Sequence, residues 1–226
     1  MPYFIQAALA AALFCIAQSA SAVPSLGDIT GVAALDDIED DGTELFSFTD
    51  TSTVLDDSDL IVTLRNAGGS NRVFIYDDIF PAIELTVFDF TDPVFATQTL
   101  SYNVVLNRIS NGLVDILMSQ ANGLFGIGIE HSDGNKYYSQ NSLNSDGFDH
   151  MLAYNVSDVV SGGGVFGLGN YVFAFEDLPN GGDKDYDDVL VNATDIVASP
   201  VEAPMTMALL GLGILGMSRF ANRAKA

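Results

Sequence analysis

Short apolar runs punctuated by turn residues constrain this chain more than any other feature. Residues 44–48, 60–64, 72–76, 83–88, 102–106, 124–130, 150–154, 171–176 and 189–191 are alternating or β-branched apolar runs. Between them stand Asn66-Ala67-Gly68-Gly69-Ser70, Asn111-Gly112, Asp133-Gly134-Asn135 and Gly162-Gly163-Gly164, residue types that reverse a backbone at low cost. Many strands at this spacing, with few helical patterns, predict a mostly β fold: an antiparallel β-sandwich of jelly-roll-like kind. Only 112–121 reads as a short helix, and 36–41 reads as a charged loop. No internal repeat or interdomain linker divides the region.

The two ends have a different character. Residues 7–17 form an apolar run followed by Gln18-Ser19-Ala20-Ser21-Ala22, whose small-x-small ending is the pattern signal peptidase accepts. Residues 1–22 are therefore expected to be a signal peptide, with Val23 opening an exported domain over 23–200. Cys15 is the single cysteine and lies in that leader. The remaining chain has no disulfide, thiol nucleophile or cysteine metal site to draw on, so a large core or a bound metal must supply its stability.

At the other end, 201–226 runs Val201-Glu202-Ala203-Pro204, then a Gly/Leu-rich apolar stretch from Met205 to Met217, then Arg219 and Arg223. The stretch is shorter than the roughly 20 residues of a comfortable membrane helix, but a basic flank can hold such a helix with that flank in the cytoplasm. This arrangement resembles the PEP-CTERM sorting signal of Gram-negative bacteria, which an exosortase recognises and processes. Val201 and Pro204 agree with its motif, while Glu202 and Ala203 stand where Pro and Glu are usual. The resemblance implies passage through the export machinery, a membrane-anchored intermediate held in the inner membrane by the C-terminal helix, and delivery to the cell surface or extracellular matrix. A plain tail anchor is the alternative.

Charge narrows the partners further. The chain has 30 acidic and 8 basic residues, a net charge of -22. Every acidic residue lies between Asp28 and Glu202, whereas Arg219, Arg223 and Lys225 lie in the tail. Such a domain repels nucleic acid and anionic lipid and draws in cations; no nucleic-acid partner is expected. Asp outnumbers Glu, as suits turns and loops more than helices.

The densest polar stretch is 176–188, where Glu176, Asp177, Asp183, Asp185, Asp187 and Asp188 surround a Pro179-Asn180-Gly181-Gly182 turn. Two unit charges about 4 Å apart repel by roughly 1 kcal/mol in water and ~4 kcal/mol at an effective dielectric near 20. A cation offsets that repulsion, and hard oxygens on a flexible loop suit Ca²⁺. The alternation of Asp183, Asp185 and Asp187 matches the start of an EF-hand loop, but Asp188 at its sixth position and Thr194 at its twelfth do not. Asp146 and Asp149, from the loop preceding His150, complete the candidate oxygen cage, with His150 expected to hydrogen-bond instead of ligating. A solvated acidic hairpin built from Asx-turns is the other reading.

Several stretches here are similar to domain of unknown function 4114. They are Tyr137-Tyr138-Ser139, Leu143-Asn144-x-Asp146-Gly147, Asp149-His150, Phe173-x-Phe175-Glu176-Asp177 and Gly181-Gly182-Asp183-x-Asp185-x-Asp187-Asp188. Upstream, Val73-Phe74-Ile75-Tyr76-Asp77 fits more loosely. Asp187 stands where that family commonly has Asn. The resemblance implies a compact β domain with a cation-friendly acidic turn in secreted and surface bacterial proteins, and it supplies no activity.

Catalytic signals are thin. His131 and His150 lack a nucleophile motif, and neither G-x-S-x-G nor H-E-x-x-H occurs. Residues 162–169 are Gly-rich without the Lys and helix of a phosphate loop. The expectation is a non-enzymatic surface or matrix protein stiffened by calcium, with exopolysaccharide or another matrix component as an extension of that reading. Tyrosines near the acidic loops (Tyr137, Tyr138, Tyr186) offer rings for stacking on sugars, although tyrosines in strands more often serve as core residues. Its rivals are a secreted polysaccharide hydrolase using paired carboxylates and a ligand-free structural spacer.

Overall fold

A computed structural model describes residues 23–49, 71–120, 123–157 and 170–199, together with the backbone of 56–65. The expected signal peptide, the sorting tail, the turn at 66–70 and the glycine-rich stretch at 162–169 lie outside the described residues.

In chain order the strands are β1 (Phe46–Phe48), β2 (Asp56–Arg65), β3 (Asn71–Asp77), β4 (Glu84–Phe88), β5 (Thr97–Asn103), β6 (Arg108–Ser110) and β7 (Asp115–Leu117). They continue with β8 (Phe125–His131), β9 (Lys136–Tyr138), β10 (Met151–Asn155), β11 (Tyr171–Phe175), β12 (Val189–Ala193) and β13 (Ile196–Ala198). Their recorded pairings are all antiparallel. One sheet has the order β13-β1-β8-β3-β4, with β9 also paired to β8; the other has the order β10-β11-β12-β2-β5-β6-β7. The protein is thus mostly β, as the rhythm of apolar runs and turns predicts.

The sheets share a core because strand side chains alternate between faces. Phe46, Phe48, Ile75, Ile127 and Ile129 of the first sheet and Phe173, Phe175, Val189 and Val191 of the second are buried in one cluster. Phe46 meets Phe173 edge-on, with ring centroids 4.8 Å apart. The out-of-phase residues of the second sheet are buried too. Leu152, Tyr154, Val172, Ala174 and Leu190 form a second cluster with Leu26, Ile29 and Leu35. Those three belong to an N-terminal segment opened by helix α1 (Leu26–Thr30), which has a Ser25/Asp28 capping box. The charged loop at 36–41 then runs along the β10 edge: Ala153 N–H donates to Asp40 Oδ1 at 2.8 Å, and Asp41 N–H donates to the Ala153 carbonyl at 2.9 Å. A strand edge that would otherwise offer unpaired groups is thereby covered.

Two local expectations are corrected. Of the stretch 112–121, the described residues 112–120 are not a helix: they contain β7, which pairs with β6. Asn111 Oδ1 accepts from the N–H groups of Leu113 and Val114, an Asx-turn that closes a hairpin where the apolar residues alone suggest a helix. The strand expected at 102–106 ends at Asn103, whose Oδ1 accepts from Val105 and Leu106 N–H and turns the chain. Among the described residues, no helix is long and apolar enough to cross a membrane.

Candidate metal centre

The acidic stretch is the loop between β11 and β12, which pair from Tyr171↔Ala193 to Phe175↔Val189. Both strands are anchored in the core, so the loop is held at its two ends. Within it Asn180, Gly181, Gly182, Lys184 and Tyr186 all have positive φ. Two of these positions require glycine on contact grounds as well. A Cβ on Gly181 would enter the Phe148 ring, and one on Gly182 would collide with the Glu176 carboxylate. Left-handed backbone at a tyrosine or lysine is strained and persists only where surroundings fix it. Tyr186 is fixed by its hydroxyl, which donates to the Asp149 carbonyl at 2.7 Å, and by burial in the second cluster. Lys184 N–H donates to Glu176 Oε2 at 3.0 Å.

This coiling gathers carboxylates. Glu176, Asp177 and Asp188 form one group whose ligand atoms lie within 4.8 Å of one another. Glu176, Asp183 and Asp185 form a second group, and Asp185, Asp187 and Asp188 a third. Glu176 and Asp177 are buried, whereas Asp183 and Asp185 face solvent. The groups therefore grade from an interior end to an open end. Asp188 Oδ2 accepts from Asp177 N–H at 2.8 Å, and Asp177 Oδ2 accepts from Asn71 Nδ2 at 2.8 Å.

Among the described residues, no basic side chain forms an ion pair with Glu176, Asp177, Asp183, Asp185 or Asp188. Arg72 and Lys136 are engaged with Glu84 and Glu130, and Lys184 Nζ sits over the Phe148 ring, 5.2 Å from its centroid. Burial and the neighbouring Asp177 and Glu176 charges push the Asp188 carboxyl up to about 7. Burial raises Glu176 above its ordinary value, and burial with the Asp187 and Asp183 charges raises Asp185. Carboxyls so placed retain protons unless a cation replaces them.

The structure treats Asp146 and Asp149 differently from the turn. Asp146 does reach it, since Asn180 N–H donates to its Oδ2 at 2.7 Å. That oxygen also lies 3.1 Å from His150 Nε2. Burial raises the Asp146 carboxyl, but bonds from Asn180, Phe148 and His150 outweigh it and bring the group down to about 2. Asp149 is pushed up to about 6 by burial, with Asp40 and Glu44 adding to the effect. Neither residue belongs to the close carboxylate groups.

His150 is fully buried, with Nδ1 2.8 Å from the Glu176 carbonyl. Both ring nitrogens thus face acceptors, an arrangement suited to hydrogen bonding, which is the role expected for it. The tyrosines near the acidic loops are packed, the alternative to sugar stacking, with Tyr138 half-buried. Tyr137 and Tyr186 are buried, and Tyr137 stacks on His150 with centroids 3.9 Å apart. Tyr138 packs edge-on against Phe74 and Tyr76.

Asn71 is the residue that sequence reading missed. It opens β3, 106 positions before Asp177, and follows Gly68-Gly69-Ser70, which in sequence reads as loop. Pairing of Asn71 with His131, and of Val189 with Phe175, brings this end of both sheets to the acidic loop. Asn144, from the Leu-Asn motif, braces the neighbouring loop by accepting from Tyr138 N–H and donating to the Tyr138 and Phe148 carbonyls. Comparison with curated proteins gives no match. The family model described as Domain of unknown function (DUF4114) matches residues 104–194, so the domain resemblance holds over β6 to β12 and the whole acidic loop, while 73–77 falls outside it.

Proposed function

We propose that this chain is an exported, C-terminally sorted surface or matrix protein whose β domain binds calcium at the 176–188 loop. The observation that carries the reading is the convergence of six carboxylates into three overlapping groups without a basic partner recorded for five of them. Calcium takes 6–8 oxygens at about 2.3–2.6 Å from flexible loops, a demand this donor set suits in chemistry and number. The ion would do no chemistry; it would offset repulsion and fix the loop.

Export rests on the Ala20-Ser21-Ala22 cleavage pattern, and sorting by an exosortase-type enzyme rests on the tail that follows Pro204. The jelly-roll-like arrangement and the two terminal helices belong to this reading as well. Sugar stacking on Tyr137 and Tyr186 does not, because both rings are buried.

The test is a thermal melt of the purified full chain in millimolar calcium and in EGTA. Calcium at ~100 times its dissociation constant adds about 2.7 kcal/mol, a rise of roughly 5–10 °C in a domain of this size. An Asp183→Ala, Asp185→Ala double variant loses that rise. An unchanged wild-type melt overturns the calcium reading. For export, the protein recovered outside the cytoplasm begins at Val23; a retained leader contradicts it.

A further inference from the structure

The interior end of the acidic loop carries an unexplained polar atom. Asn71 is 1% exposed, and its Nδ2 donates to Asp177 Oδ2 at 2.8 Å. Its Oδ1 is buried without a hydrogen-bond partner among the described residues. A buried amide oxygen left without a donor forfeits its hydration uncompensated, and such orphans in native proteins call for a physical account. This one sits on the same amide that holds Asp177, beside the Glu176, Asp177 and Asp188 group. A second orphan borders the site: the Tyr137 hydroxyl is buried without a partner among the described residues, and it lies in the field of Asp133, Asp146, Asp177 and Glu176.

An amide oxygen is a hard, neutral donor of the kind calcium takes alongside carboxylates. We propose that Asn71 Oδ1 is a ligand of the cation held by Glu176, Asp177 and Asp188, so that one ion joins the first sheet, through β3, to the β11–β12 loop of the second. The inference rests on the calcium reading above and adds a ligand that lies outside both the acidic loop and the 104–194 family match. It also gives the ion a mechanical role. Loop carboxylates alone would tie β11 to β12, strands already hydrogen-bonded to each other, whereas Asn71 makes the ion a link between sheets.

The experiment compares the full-length wild type with Asn71→Ala and Asn71→Asp, using calcium titration and terbium(III) as a luminescent stand-in for calcium. Alanine removes the oxygen and leaves room for water. Aspartate restores an oxygen at the same place. For Asn71→Ala, calcium affinity is expected to fall roughly 10–100-fold. The waters on bound terbium, counted from luminescence decay in H₂O and D₂O, should rise by about one. Asn71→Asp should keep wild-type affinity or tighten it, with no added water.

If wild type binds calcium and Asn71→Ala matches it in affinity and water count, the Asn71 assignment is overturned while the loop site survives. A weaker Asn71→Ala with an unchanged water count also overturns it, because a residue that merely braces Asp177 would behave that way. If wild type binds no calcium, the underlying reading fails and this inference with it.

Discussion

Replacing Asp188 with asparagine should stabilise the calcium-free protein and remove most of the benefit of calcium, opposite effects from one substitution. Asp188 shares the interior group with Glu176 and Asp177, ligand atoms within 4.8 Å. At that separation two unit charges repel by about 3.5 kcal/mol at an effective dielectric near 20. Two such contacts sum to about 7 kcal/mol at that dielectric, which screening at the partly exposed Asp188 reduces. Burial and the neighbouring Asp177 and Glu176 charges raise its carboxyl from 3.8 to about 7, which agrees in direction: the charged form is disfavoured. Asparagine keeps the acceptor for Asp177 N–H, which donates to Asp188 Oδ2 at 2.8 Å, and removes the charge.

At pH 8.5 in EGTA, where Asp188 is ionised, Asp188→Asn should therefore add about 3 kcal/mol, or roughly 6–12 °C in Tm. In millimolar calcium the variant has lost a charged ligand, and its further rise should be a small fraction of the wild-type rise. Differential scanning calorimetry reads both numbers. A variant that melts below wild type in EGTA, or that retains the full calcium increment, refutes the electrostatic argument.

Two further outcomes follow from the same groups. Asp188 and Asp149 have folded values raised to about 7 and about 6 from 3.8, so the folded state favours their protonated forms. That stabilisation is complete below about pH 4 and is lost as pH rises through 6 and 7; Tm in EGTA should fall across this window, while calcium affinity, which requires proton release, should climb through it. Gly181→Ala combines a φ of 75° with a Cβ driven into the Phe148 ring; it should cost about 2–3 kcal/mol, read as a lower urea midpoint together with weaker calcium binding.

Strands were legible wherever the apolar pattern is long and its period clear. The runs at 72–76, 124–130, 150–154 and 171–176 coincide closely with β3, β8, β10 and β11, because inward residues such as Ile75, Ile127 and Phe173 alternate with residues of another environment. Most three-residue strands were not legible: β6, β7, β9 and β13 are too short to show a period, and their existence depends on pairing partners, whereas β1 falls within the apolar run at 44–48. Helix α1 went unread because it is five residues long, held by the Ser25/Asp28 box and by docking of Leu26 and Ile29. The acidic loop was conspicuous in sequence because its carboxylates are consecutive. Asn71 was not, since a contact 106 residues away leaves no local trace.

The order of burial within the loop explains how such a charge density is compatible with folding. Glu176 and Asp177 directly follow Phe175, a fully buried core residue, and Asp188 directly precedes Val189, another. Strand pairing of Phe175 with Val189 therefore fixes the interior carboxylates close together whatever the rest of the loop does. Separating them would require opening the core, and packing an aromatic such as Phe175 is worth about 3–5 kcal/mol against truncation. That is comparable to the ~3.5 kcal/mol repulsion of one charged pair and falls below the sum of several. A fold that can carry one ionised pair must compensate the remainder with a proton or a cation. Because Asp183, Asp185 and Asp187 extend the same cluster toward solvent, a cation bound as proposed would reach the interior carboxylates over ligands of its own kind and would displace the proton without any strand having to move.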